Sequence, residues 1–482
     1  MILLRSLPLL LALPCLSWLQ DSTKAPDAPA SPLGHPGEVS EADLRATVAF
    51  LASDELQGRE AYTPEARKAA EFLAAQLKGM GLTGLGPEGA MLLEVPFERT
   101  TFEAAPDVVL VDGEGVQHAL RYGEDFRFGR ESTAVDSGEY AVVHATEETD
   151  LDSLDGGGKV LVFHGDHKSW RQVRRGLGDA GWLFLIHDPG VAESKEALAL
   201  PRQIVVPAWT ERKAAKGART LELSGDFAAW IASVKSLRWD EHRVVSQIEE
   251  PNVVAFLPGV GTEERPELAE EVIVISAHYD HIGISRRAPE GQDRINNGAD
   301  DDASGVAVLL ELADGFVHGP KPARSVLFLL ACAEEKGVLG TEYFAEHPPV
   351  PLERIVCNLN LEMLGRPDDL AGGVGKVWLT GYERSTLGPA LIGRGIELVA
   401  DPRPEQSFFT RSDNIVFVRK GVVGQTLSSY NMHTDYHRVS DEIKTIHFEH
   451  LTKAAQVCLA AAQELASGRV DAKWLEGEPK LR

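Results

Sequence analysis

The chain predicts an α/β fold: a mostly parallel, mixed sheet sandwiched by helices, with a β-rich domain inserted into it. Two observations carry that expectation. From about residue 251, continuous apolar runs (VVAFLPG, EVIVISAHY, SVLFLLACA, IVCNLNLEML) alternate with helical stretches such as ASGVAVLLELADGFV. Strands apolar on both faces are covered on both sides, and strand–helix alternation makes them parallel. Between about 100 and 250 the pattern changes to short strands, YAVVHA, KVLVFHG and WLFLIHD, separated by Gly and Asp turns.

The elements follow in order. Residues 1–20 place one Arg before a compact apolar run and then Cys15-Leu16-Ser17, which reads as a secretory signal peptide. A secreted or periplasmic protein is therefore expected. Residues 21–38, rich in Pro and Ala, read as a flexible leader. The fold begins near Val39. In 39–100, Ser40 caps a helix with apolar positions three and four apart, and Thr63-Pro64 opens an Ala-rich helix that stops at a Gly. Residues 101–250 form the insert, and 251–470 the main α/β segment.

With 482 residues, core size is not limiting. A net charge of −25 and the lack of clustered Lys and Arg exclude a nucleic-acid surface. No stretch after the signal approaches the ~20 apolar residues that span a bilayer. Beyond Cys15, the remaining Cys332, Cys357 and Cys458 sit in apolar contexts and read as small core residues, with a Cys332–Cys357 disulfide left open.

Ligands of parallel sheets gather beyond the carboxyl ends of the strands, and five polar clusters lie at such ends. EVIVISAHYD places His278 and Asp280 two apart, on one side of an extended strand. In NNGADDDASGVAVLL, three aspartates stand between a Gly turn and a helix start, where the helix dipole favours a carboxylate. SVLFLLACAEEKGVLG drives a buried strand directly into Glu334 and Glu335. Unpaired buried charge is costly, so a cation is implied, with one glutamate to ligate it and the other to move a proton. IVCNLNLEMLG ends on Glu362, and NMHTDYHRVSDEI gathers His433, Asp435, Tyr436, His437 and Asp441. Each cluster alone reads as loop polarity; five in one chain do not.

AHYDHIG, GADDDASG, AEEKGVLG, NLNLEMLGR and DYHRVSD occur in the order seen in co-catalytic two-zinc exopeptidases. The chain resembles that family, which holds aminopeptidase Y-type and bacterial leucyl aminopeptidases and is related to glutamate carboxypeptidases. The likeness covers about 251–465, with LASDELQGRE and the helix after it similar to the family's amino-terminal part. KVLVFHG and AGWLFLIHD resemble an inserted protease-associated domain. The resemblance implies a zinc exopeptidase fold and two Zn2+ per chain. His278 and Glu362 would hold one zinc, Glu335 and His437 the other, and Asp301 would bridge them. Asp280 would orient His278, Glu334 would be the general base, and Tyr436 would hydrogen-bond the oxyanion. His433 and His281 are left out of the metal set.

Two departures stand out: Glu362, where the family usually carries Asp, and Asn414, where many relatives carry His. The implied activity is hydrolysis of peptide substrates from one end, an aminopeptidase in the first place. A carboxypeptidase or dipeptidase, which would use Arg411 or Arg366, is the alternative, followed by a glutaminyl cyclase or a non-catalytic receptor. Phe408 and Phe409 read as pocket or core. Side-chain preference and oligomeric state are not readable.

Overall fold

A computed structural model of the protein describes residues 37–128, 135–150, 153–165, 169, 173, 182–188, 203–210, 219–223, 230–285 and 291–479. The expected signal peptide and nearly all of the expected leader lie outside the described residues. Among the described residues no helix is long and apolar enough to cross a membrane.

Among the described residues the main sheet has ten strands. Its centre is the parallel set Val423–Ser428, Ile355–Glu362, Val272–His278 and Ser325–Ala331. The apolar runs are strands because alternate residues enter different cores. Ile273, Ile275, Val326, Phe328 and Leu330 pack with helices Glu41–Leu51, Pro64–Gly79, Gly305–His318 and Phe448–Ala466 through residues such as Leu44, Leu73, Leu309 and Leu451. Val272, Val274, Leu327 and Leu329 pack instead with Phe344 and Phe417, on helices Leu339–Glu346 and Asn414–Arg419. The mixed α/β sandwich is thus as the sequence predicts, with parallel pairing concentrated at the centre and antiparallel strands on both flanks.

Local signals act as expected. Ser40 Oγ accepts from Asp43 N at 3.3 Å, and Thr63 Oγ1 accepts from Ala66 N at 3.3 Å just ahead of Pro64. The helix expected from Ala303 becomes regular only at Gly305. The turn Ala299–Ser304 before it carries Asp301 at φ −104°, ψ 97°, outside helical space.

Leu92–Phe102 and Arg243–Leu257 pair antiparallel along their length, and between them the chain builds a second sheet with eight strands among the described residues. In it Gly138–Thr146, Val160–His164 and Phe184–Asp188 run parallel over a core that includes Leu237 and Trp239. One strand from within this stretch, Gln203–Pro207, pairs with Leu92–Phe102 and so belongs to the main sheet. Cys332, Cys357 and Cys458 are buried free thiols, which removes the disulfide left open above.

Candidate metal centre

The four parallel strands end side by side, and the clusters at their carboxyl ends converge. His278 closes its strand, Glu334 and Glu335 follow three residues after Ala331, and Glu362 closes a third strand. The turn Ala299–Ser304 delivers the aspartates. Asp300 Oδ1 accepts from Gly365 N at 2.7 Å, and Asp302 Oδ1 accepts from Met363 N at 3.0 Å and Gly305 N at 3.1 Å. Those two carboxylates are used in holding the backbone. Asp301, between them, is left to face the cluster. Gly298 enters this turn at φ +58°, and a Cβ there would stand 2.3 Å from Asp301 O, so no other residue fits.

The two oxygens of Asp301 face two different sets of ligands. Oδ1 lies 3.3 Å from His278 Nε2, which is 3.3 Å from Glu362 Oε1. Oδ2 lies 3.2 Å from His437 Nε2, which is 3.2 Å from Glu335 Oε1. Two groups, His278–Asp301–Glu362 and His281–Asp301–Glu335, each bring their ligand atoms within 4.8 Å of one another. Asp301 Oδ2 and His281 Nε2 are buried without a hydrogen-bond partner among the described residues. Ring nitrogens and carboxylate oxygens gathered at a point, with an oxygen left unsatisfied, are what a borderline cation such as zinc binds. The residues present fit a metal.

His281 is the residue that sequence reasoning set aside and the structure brings in. It is buried, and its Nδ1 lies 2.8 Å from Glu335 Oε1 and 3.9 Å from Asp301 Oδ2. Asp280 stands differently from the expectation. Its carbonyl oxygen, at 3.0 Å, contacts His278 Nδ1, while its carboxylate is 3.8 Å away. That carboxylate accepts from Glu334 N at 2.9 Å and Glu335 N at 3.3 Å, so it fixes the two glutamates. Its pKa rises to about 6 through burial.

Glu334 and Glu335 are driven apart. Loss of hydration raises Glu334 well above the carboxylate range; the nearby His278 opposes this, and the charges of Glu362 and Asp413 reinforce it. Burial and Asp301 also push Glu335 up, but contacts from His281 and His437 outweigh them and hold it at about 2. Burial works against a charged His437, yet Asp301 and Glu335 raise it to about 10.

Other side chains hold this arrangement. Ser412 Oγ donates to Glu362 Oε2 at 2.6 Å, and Asn360 Nδ2 donates to Ser412 Oγ at 2.9 Å. Asp441 accepts from Asp301 N at 3.2 Å, and His433 Nε2 lies 3.0 Å from Asp300 Oδ2. Arg59, wholly buried, donates to the carbonyls of Leu51, Tyr279, Asn297 and Gly298, tying the two loops that carry His281 and Asp301. Nothing local in LASDELQGRE announces this; all but one of its partners are more than 200 residues away.

A cleft opens beside Glu362, walled by Met363, Trp378, Phe408, Tyr430 and Tyr436, with Arg411 on its lining. Phe408 lines it while Phe409 packs with Ile415 and Val416 in the core, so the pair divides. The Tyr436 ring stacks on His437 at 3.9 Å. Arg366 is consumed by Asp435 at 2.6 Å and Asp441 at 2.9 Å. Asn414 points away from the cluster, donating to Phe409 O at 2.9 Å and Gly424 O at 3.3 Å.

Residues 252–462 match the peptidase family M28. The chain is 25% identical over 224 residues to aminopeptidase YwaD of Bacillus subtilis (strain 168), covering 44% of this chain and 45% of that protein. It is 35% identical over 126 residues to a probable zinc metalloprotease of Pyrenophora teres f. teres (strain 0-1), covering 26% of this chain and 25% of that protein. The matched segments thus span between a quarter and under half of these curated relatives. The solved aminopeptidase from Aneurinibacillus sp. strain AM-1 superposes with a TM-score of 0.53 at 18% identity, over 89% of this chain and 94% of that one. At that identity the likeness is one of fold.

Proposed function

We propose that this protein, whose residues 252–462 match peptidase family M28, is a zinc-dependent exopeptidase that holds two zinc ions and removes residues from the amino end of peptides. One observation carries the reading: the two oxygens of Asp301 face separate His–carboxylate sets, as a bridging carboxylate must. His278 and Glu362 would hold one ion, Glu335 and His437 the other, with His281 against the second set. Zinc held there would polarise the scissile carbonyl and lower the pKa of a water.

The chain's own groups do the rest. Glu334, whose proton affinity is raised, takes a proton from the attacking water and delivers it to the leaving amine. Asp280 keeps both glutamates in register through their amides. Tyr436, on the cleft wall, donates to the oxygen of the scissile carbonyl, and Glu362 at the cleft offers a carboxylate to the substrate amine. Residues 101–250 would form an accessory module of the protease-associated kind, and residues 1–20 would direct export.

Hydrolysis of amino-acid p-nitroanilides and of amino-terminally blocked peptides, with and without chelator and zinc, tests this. Chelator-sensitive cleavage of unblocked substrates alone is the expected result. Turnover of blocked peptides from the carboxyl end would transfer the reading to a carboxypeptidase, and absence of any turnover would end it.

A further inference from the structure

We infer that Arg411 makes the cleft beside the metal cluster a receptor for a substrate carboxylate, supplied either by an acidic side chain on the residue entering the cleft or by a free carboxyl terminus just past the cleaved bond. The inference rests on the exopeptidase reading and deepens it to a substrate class.

The argument begins with what the neighbouring arginines do. Arg403 donates to Asp368 at 2.9 Å, Arg366 holds Asp435 and Asp441, and Arg384 holds Glu478 at 2.9 Å. In a chain of net charge −25, an arginine finds a carboxylate easily. Arg411 has none among the described residues: its backbone N donates to Phe408 O at 3.1 Å, but no hydrogen bond or ion pair of its guanidinium is found there, although it is exposed and lines the cleft. It lies over an apolar face, with Cζ 5.2 Å from the centre of the Phe408 ring. Such stacking orients the guanidinium while leaving its N–H edge free.

Its place is equally specific. Ser412, the next residue, donates to Glu362, so the chain that carries Arg411 is fixed against the metal cluster itself. Arg411 and Glu362 line the same cleft, one offering a cation and the other facing the metal group. The planar fork of N–H donors on Arg411 matches a carboxylate in shape and charge. The walls alone would select a large apolar side chain; the unpaired cation among them is what adds a carboxylate requirement.

The test uses the full zinc-supplemented chain and ratios of kcat/KM, which cancel differences in metal content between preparations. Peptides beginning with Glu are compared with the same peptides beginning with Gln, and dipeptides with a free carboxylate are compared with their amides. The wild type is expected to favour the carboxylate at least tenfold in one of the two pairs, the scale of one charge-assisted hydrogen bond. Which pair responds identifies the source. R411Q is expected to bring that ratio close to one, R411E to invert it, and R411K to restore part of it. A wild-type ratio near one in both pairs, or a ratio unmoved by R411Q, overturns the inference while leaving the exopeptidase reading intact. Calorimetric binding of glutamate against glutamine, and of a free dipeptide against its amide, reads Arg411 without turnover. If no peptide is cleaved, the exopeptidase reading falls, and equal affinities within both pairs then overturn the carboxylate receptor as well.

Discussion

Glu334 and Glu335 share a peptide bond but not an environment. Two imidazoles face Glu335; at Glu334 loss of hydration, with the charges of Glu362 and Asp413, outweighs the one imidazole nearby, His278. Opposite shifts on adjacent carboxylates support the proposed split, with proton transfer at Glu334 and metal ligation at Glu335. The expected result for Glu334→Gln is a loss of about 10²–10⁴-fold in kcat with zinc content retained. Glu335→Gln should instead lose metal from the second set, and metal analysis of the two purified variants separates these outcomes. The glutamates were legible because an apolar strand runs straight into them. His281 was not, for a physical reason: the period-two rule that placed His278 and Asp280 on one side holds only within a strand. The strand ends at His278, and His281 N then donates to Arg59 O at 3.1 Å, a pairing no local pattern reveals.

At the scale of elements, continuous apolar runs announced the central strands because both of their faces are buried. Ser40 and Thr63-Pro64 announced helix starts because capping is a local interaction. The strand Gln203–Pro207 escaped, since its partner Leu92–Phe102 lies about a hundred residues earlier. Within helix Phe448–Ala466, apolar spacing marks the buried face but gives no hint of how His450 sits in it. That imidazole is buried, accepts from Gly375 N at 2.8 Å through Nδ1, and lies 3.0 Å from Ser429 Oγ through Nε2. Burial lowers its pKa from 6.5 to about 4. Between those values the unfolded chain binds a proton that the folded chain refuses, so stability falls as pH drops through this window and levels off below it. The contribution is on the order of 3 kcal/mol. Urea midpoints from pH 7 to 4 should fall less steeply in His450→Gln than in the wild type; parallel curves would show that His450 does not set the slope.

Across the whole molecule, a chain of net charge −25 concentrates Asp301, Glu334, Glu335 and Glu362 at the end of one sheet. Without a cation, imidazolium must supply the compensating charge: burial opposes a proton on His278, but Glu362 and Glu334 raise its pKa well above 6.5, while His437 reaches about 10. Groups with raised folded-state pKa values stabilise fully below 6.5 and lose that contribution as pH rises toward the folded value. Zinc needs the same nitrogens deprotonated, so its binding strengthens over the range in which imidazolium fails. The metal-free and zinc-loaded proteins should therefore unfold at similar temperatures near pH 6 and diverge by several degrees near pH 9, with the loaded form higher. Scanning calorimetry of chelated and zinc-replenished samples at pH 6, 7.5 and 9 measures the gap. Equal unfolding temperatures at all three values would mean that the cluster does not bind zinc in the folded state, and the ligand assignment would fall with it.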